Sequence, residues 1–158
     1  MFHKNGFLSM RSNLARGSVM VLLCLLISSL SAFAQKDKLE GYWLSDSKNA
    51  KIQIYRSKDS KFYGKIVWLK EPMRDGKPKV DARNPDEKLK TRPIVGLVIL
   101  KGLESEGEGN YDDGSIYDPK NGKTYSCKAT LRDNGELALR GYMGVSLLGR
   151  TSTWTRAD

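Results

Sequence analysis

The sequence predicts an all-β fold: a small antiparallel barrel of eight strands, with a long loop plus a short helix between strands three and four. Three observations predict it. Apolar residues recur with a period of two through most of the chain, as in strands with one buried face. Asn121-Gly122 and Asn134-Gly135 each separate two strand-like runs; Asn-Gly is a strong hairpin signal, because a type I′ turn needs positive φ at both central residues. A meander of eight strands has two unpaired edges unless it closes, and closure into a barrel removes both.

The first segment is a leader. Residues 1–17 contain Lys4, Arg11 and Arg16 and no acidic residue. An apolar run follows over 18–30, then Ala32-Phe33-Ala34, a small-x-small cleavage pattern before Gln35. This order of parts predicts a cleavable secretory signal over 1–34 and a single barrel domain over 35–158. The run is shorter than the ~20 residues a membrane-spanning helix needs, so no transmembrane segment is expected after cleavage. Cys24 sits in the middle of the run rather than at its end, which disfavours a lipid anchor. The expected location is the periplasm or cell envelope.

Cleavage would leave 124 residues, with 24 basic and 18 acidic side chains, a net charge of +6. That chain keeps one cysteine, Cys127, and no histidine. One cysteine allows no internal disulfide, so the fold must rest on its apolar core. The missing imidazole excludes Ser-His-Asp and Cys-His catalysis and removes the commonest zinc or copper ligand. No cofactor is expected. The basic residues are scattered rather than clustered, which points to a solvated basic face and not to nucleic acid.

The strands follow in order. "EGYWLS" (40–45) opens the first. "AKIQIYR" (50–56) alternates, with Ile52 and Ile54 on one face and Lys51 and Gln53 on the other. "KFYGKIVWLK" (61–70) is rich in aromatic and β-branched residues, which suit a pleated surface. "RPIVGLVILK" (92–101) is nearly all apolar, as expected of a strand covered on both faces. "GSIYD" (114–118) is a short fifth. "KTYSCKATLRD" (123–133) puts Tyr125, Cys127, Ala129 and Leu131 on one face. "ELALRGYMG" (136–144) and "LLGRTSTWTR" (147–156) complete the eight.

Two connections are long. In 71–91, Asn84, Pro85 and Glu87 fit the N-cap, first position and capping box of a short helix, and Pro93 limits it. Asp81, Arg83 and Arg92 have no such local role. Residues 101–115 are acidic and glycine-rich and read as a second connection; their spacing does not match a calcium loop, so no metal is expected. The stretch "IYDPKNGKTYSC" reads as turn chemistry. Pro119 presets φ, Asn121 and Gly122 bend the chain, and Cys127 is a buried thiol with no histidine to activate it.

The segments "GYWLSDSKNAKIQIY", "YGKIVWLKEP", "DGKPKVDARNPDEKLKTRPIVGLVIL", "IYDPKNGKTYSCKATL" and "LRGYMGVSLLGRTSTWTR" together resemble an uncharacterised family of exported bacterial proteins, a domain of unknown function, over residues 40–156. The resemblance implies a small lipocalin-like (calycin-type) barrel and carries no catalytic residue. Gly41-Tyr42-Trp43 is also similar to the Gly-x-Trp that opens the first lipocalin strand, where a last-strand arginine covers the tryptophan. Arg150 or Arg156 would do so here, as a structural pair. The chain departs from lipocalins in lacking a disulfide and in its long insertion after the third strand.

Three functions follow. The first is a binding module for an apolar or amphipathic small ligand at the barrel mouth, with 71–91 as a lid. Its lining residues would be Tyr63, Trp68, Tyr117, Tyr142 and Trp154, and its polar contacts Asp81, Arg92, Asp118 and Arg140. The second is a structural or interaction protein with a filled barrel and a functional outer surface. The third is a carboxylate hydrolase acting on cell-wall glycan, for which Asp81 and Asp118 are the only pair to name.

Overall fold

The structure, a computed structural model, describes residues 37–157. The expected leader over 1–34 lies outside the described residues. Eight strands close into an antiparallel barrel: β1 (Gly41–Leu44), β2 (Ala50–Arg56), β3 (Phe62–Leu69), β6 (Val98–Gly107), β7 (Asn110–Asp118), β8 (Lys123–Leu131), β9 (Leu137–Tyr142) and β10 (Gly149–Arg156). Closure comes from β1 pairing with β10, Trp43 opposite Arg156. A small hairpin, β4 (Met73–Arg74) with β5 (Lys77–Pro78), lies in the β3–β6 connection.

Alternation decides what faces inward. Ile52, Ile54, Phe62, Ile66, Leu100, Leu103, Cys127, Ala129, Leu137, Leu139 and Trp154 are buried, and with Trp43 and Tyr111 they bring all eight barrel strands into one cluster. Glycines set the fit. A Cβ on Gly64 would lie 2.9 Å from Leu100 Cβ, and one on Gly114 would lie 2.7 Å from Leu103 Cδ2. Each leucine therefore fills the space its neighbouring strand leaves empty, which is how a small barrel reaches interior density.

The structure corrects four expectations. The fourth barrel strand begins at Val98 and runs to Gly107, and the fifth begins at Asn110, so 101–115 is a strand hairpin rather than an irregular connection. Its tip, Ser105–Glu108, is exposed on both faces, so no apolar period marked it. The expected short helix is one 3-10 turn, Glu87–Leu89, and its N-cap is Asp86, whose side chain accepts from Lys88 N. Asn84 is recruited elsewhere: its Oδ1 accepts from Asp86 N while its Nδ2 turns inward. The segment 71–91 also contains the β4–β5 hairpin. Finally, the Asn-Gly joints are not two-residue type I′ turns. Gly122 and Gly135 have positive φ (75° and 81°), while Asn121 and Asn134 are not among the residues with positive φ. The β8–β9 loop closes through Gly135 N to Arg132 O, the longer loop in which one left-handed glycine follows an ordinary turn.

Candidate functional site: the open end of the barrel

One end is sealed. Residues 37–40 cross it, and the Trp43 indole, fully buried, donates to Leu39 O at 2.9 Å. The Arg156 guanidinium lies 3.9 Å above the Trp43 ring and donates to Glu40 O and Lys38 O. Gly41 has φ of 132°, and a Cβ there would stand 2.7 Å from Arg156 Nη1. The glycine makes room for the guanidinium, the tryptophan supplies its floor, and neighbouring carbonyls take its protons. Tyr111 Oη completes the seal by donating to Asp37 Oδ1 at 2.6 Å. Burial first, then this bond to a carboxylate, pushes the Tyr111 phenol well above its ordinary pKa.

The other end is built differently. Register places Arg150 opposite Gly141, and Gly141 opposite Cys127, so all three share the inner face. Ile116, opposite inward Leu100, and Tyr125, opposite Ile116, join them. Neither is fully buried, and Arg150 is exposed. Among the described residues Arg150 has no hydrogen bond, ion pair or ring partner. A Cβ at Gly141 would make ordinary van der Waals contact with Ile116 Cγ2 at 3.5 Å and Tyr125 Cβ at 3.6 Å, so these two side chains pack over the glycine. Tyr125 Oη accepts from Asn121 Nδ2 at 2.9 Å. The mouth thus offers an apolar and aromatic wall with Arg150 as an available cation.

The segment between β3 and β6 is fastened to the wall beside this mouth. Asp81, with no exposure at all, is its anchor. Its Oδ1 accepts from Tyr117 Oη at 2.6 Å; its Oδ2 accepts from Asn84 Nδ2 at 2.8 Å and from Arg92 Nε and Nη2 at 3.0 and 2.9 Å. Tyr117 follows inward Ile116, so its ring stands on the outer face, and Ile99, next to inward Leu100, does the same. Both are nevertheless buried. Arg83 O sits where a Cβ on Gly122 would be, 1.9 Å away, so the β7–β8 turn must carry glycine there. Burial pushes the Asp81 carboxyl up, but the hydrogen bonds from Tyr117, Asn84 and Arg92 outweigh it and hold the group below its ordinary value. Asp81 is an ionised fastener.

The chain as a whole has counterparts among known proteins. The family model described as "Uncharacterized protein conserved in bacteria (DUF2147)" matches residues 41–156. The chain belongs to this family. Among solved structures, the barrel is similar to protein HP1028 of Helicobacter pylori, described as belonging to the lipocalin family, with 25% identity, a TM-score of 0.67, and coverage of 78% of this chain and 85% of that one. A search of curated proteins finds no match. The matched span of this DUF2147 member begins at Gly41 and ends at Arg156, the two residues that touch across the sealed end.

In this lipocalin-like barrel the residues read from the sequence fall in several places. Asp81, Arg92 and Tyr117 meet, but as a fastening on the outer wall. Asp118 holds its turn, accepting from Lys120 N through Oδ1 and from Gly122 N through its carbonyl. Tyr63 is on the outer face toward the sealed end, stacked on Tyr55 and donating to Asp59 Oδ2 at 2.6 Å. Trp68, 43% exposed, borders an outer apolar hollow of about 380 Å³ with Leu44, Lys51 and Ala157. Arg140 and Tyr142 lie on the outer face of β9 by register, Arg140 donating to Thr151 Oγ1 and Leu147 O. Trp154 faces inward within the core and donates to Ser152 Oγ. Of the two arginines offered for the tryptophan, Arg156 covers it and Arg150 stands at the mouth. Sequence reasoning put Tyr125 on the Cys127 face without assigning it to a site, and missed Ile116 and Gly141, which join it only through the register of β7 and β9 with β8. Among the described residues no helix is long and apolar enough to cross a membrane, and no cluster of potential metal ligands occurs.

Proposed function

We propose that this protein is a binding module of the bacterial cell envelope that holds the end of a small amphipathic molecule at its barrel mouth. The observation that carries this reading is the inward-facing Arg150, without a partner among the described residues, beside Ile116, Tyr125 and Gly141. A guanidinium without a partner among the described residues suits an anionic group, and the wall suits an apolar one. Because Leu100 and Leu103 fill the barrel below, the ligand enters only the upper part, which favours a short chain or one end of a longer one. The leader pattern over 1–34 supports export. The geometry favours binding over carboxylate hydrolysis, since both Asp81 oxygens are engaged and Asp118 is held by its turn.

The test is a fluorescence titration with a medium-chain carboxylate and with the alcohol of equal length. Saturable 1:1 binding of the carboxylate is expected, weakened roughly tenfold or more by Arg150→Ala, with the alcohol bound weakly by both proteins. Absence of saturable binding, or equal affinity of the Arg150→Ala variant, would sink the proposal.

A further inference from the structure

The open end also carries features that a small ligand does not use. The β9–β10 connection, 143–148, exposes Met143 and Val145 (61% each), Leu147 (86%) and Leu148 (80%). Turns at barrel ends are ordinarily polar, so four large apolar side chains in six residues need a reason. The backbone that presents them is held. A 3-10 turn spans Ser146–Leu148, with Leu148 N donating to Val145 O, and Arg140 Nη2 donates to Leu147 O at 3.0 Å from the barrel wall. The side chains are displayed outward.

Charge is divided between the two ends. The connections at the open end (45–49, 70–97, 119–122 and 143–148) hold ten basic and six acidic residues. Three of those acids are paired within the segment: Glu71 with Lys79, Asp81 with Arg92 and Glu87 with Lys90. At the sealed end, 37–40, 57–61, 108–109 and 132–136 hold four basic and six acidic residues. The exposed apolar loop therefore sits on the basic end.

We propose that the open end of the barrel docks on an anionic lipid bilayer, with Met143, Val145, Leu147 and Leu148 entering the acyl boundary and the basic connections meeting the headgroups. The combination of apolar tip and basic surround is the chemistry of interfacial membrane binding. An anionic polymer would satisfy the lysines and leave the four apolar side chains in water. A second copy of the chain would set two basic ends against each other, which like-charge repulsion opposes. The proposal stands whether or not the mouth holds a small ligand.

The test is co-sedimentation of the purified full chain with vesicles of phosphatidylglycerol and phosphatidylethanolamine, and with vesicles of phosphatidylcholine alone, at low and high salt. The wild type is expected to prefer the anionic vesicles and to lose affinity with salt. Leu147→Asp/Leu148→Asp should weaken binding at least about tenfold. Both proteins share one N-terminus, so their difference reports the loop alone. Leu147→Trp provides a second reading, with a blue-shifted emission component appearing on anionic vesicles. The proposal is overturned if the Asp variant binds equally, which would leave charge alone as the cause, or if no vesicle is bound. It is also overturned if the substitution instead abolishes a dimer seen in sedimentation.

Discussion

Arg156 and Arg150 stand on the same face of the same strand, and their surroundings give them opposite roles. At the sealed end Arg156 has an indole beneath it and carbonyls of Glu40 and Lys38 around it. At the open end Arg150 has Gly141 opposite and no partner among the described residues. A guanidinium becomes structural where its donors are consumed by the fold, and it remains available where they are not. The difference lies in what crosses each end: residues 37–40 close one, whereas the β3–β6 segment is drawn to the outer wall by Asp81 and stays beside the other.

The strongest test of this contrast removes the floor of the sealed end. Trp43→Ala should cost about 3–5 kcal/mol in urea unfolding, because it empties a large buried volume and frees Arg156. A loss below about 1 kcal/mol would show that the seal does not hold the barrel. Asp81→Ala should cost about 3 kcal/mol, the low end for a broken buried ion pair, since Arg92 keeps a third of its side-chain exposure. Limited proteolysis should then cut within 82–95 while the barrel persists; unchanged protection would separate the fastening from Asp81.

The same carboxylate has a pH signature. Its folded pKa lies below the unfolded value of about 3.9, so its contribution is present above about pH 4 and is lost as pH falls through the folded value. Denaturation midpoints measured between pH 6 and 2 should fall in acid, and Asp81→Asn should flatten the part of the decline that this group causes. An identical profile in the variant would assign acid sensitivity elsewhere.

A smaller effect compares the two arginines directly. Arg156→Ala should cost about 2 kcal/mol through lost charge-assisted hydrogen bonds and stacking. Arg150→Ala should stay within about 0.5 kcal/mol of wild type while losing the carboxylate. Equal stability changes would erase the distinction between the ends. The smallest expected effect is at Cys127. Burial, with Asp112 adding a little, pushes its thiol up to about 12, so iodoacetamide at pH 8 should leave it unmodified by mass spectrometry until the barrel unfolds. Rapid alkylation of the folded protein would mean that the interior opens near mid-strand.

Much of the barrel was legible because alternation is local. Ile52 and Ile54, or Cys127 and Ala129, show their buried face without reference to any other strand. The β6–β7 tip was not legible. Its Glu106 and Glu108 lie at the sealed end, where both faces meet water and the period disappears. Asn84 misled for a related reason: the residues that suit a helix cap also suit a buried carboxylate, and only the nearness of Asp81 and Tyr117 chose between them. The aromatics Tyr63, Trp68 and Trp154 were grouped by type, and register then separated them onto outer and inner faces.

The sequence alone determined which face most strands bury and where several of the turns fall, because these depend on neighbours within a few positions. The tertiary structure decided which arginine meets the tryptophan, on which side of the wall the long segment lies, and which end stays open. Those outcomes depend on closure, which brings Trp43 against Arg156 and Asp81 against Tyr117 across distances in sequence that no local pattern spans.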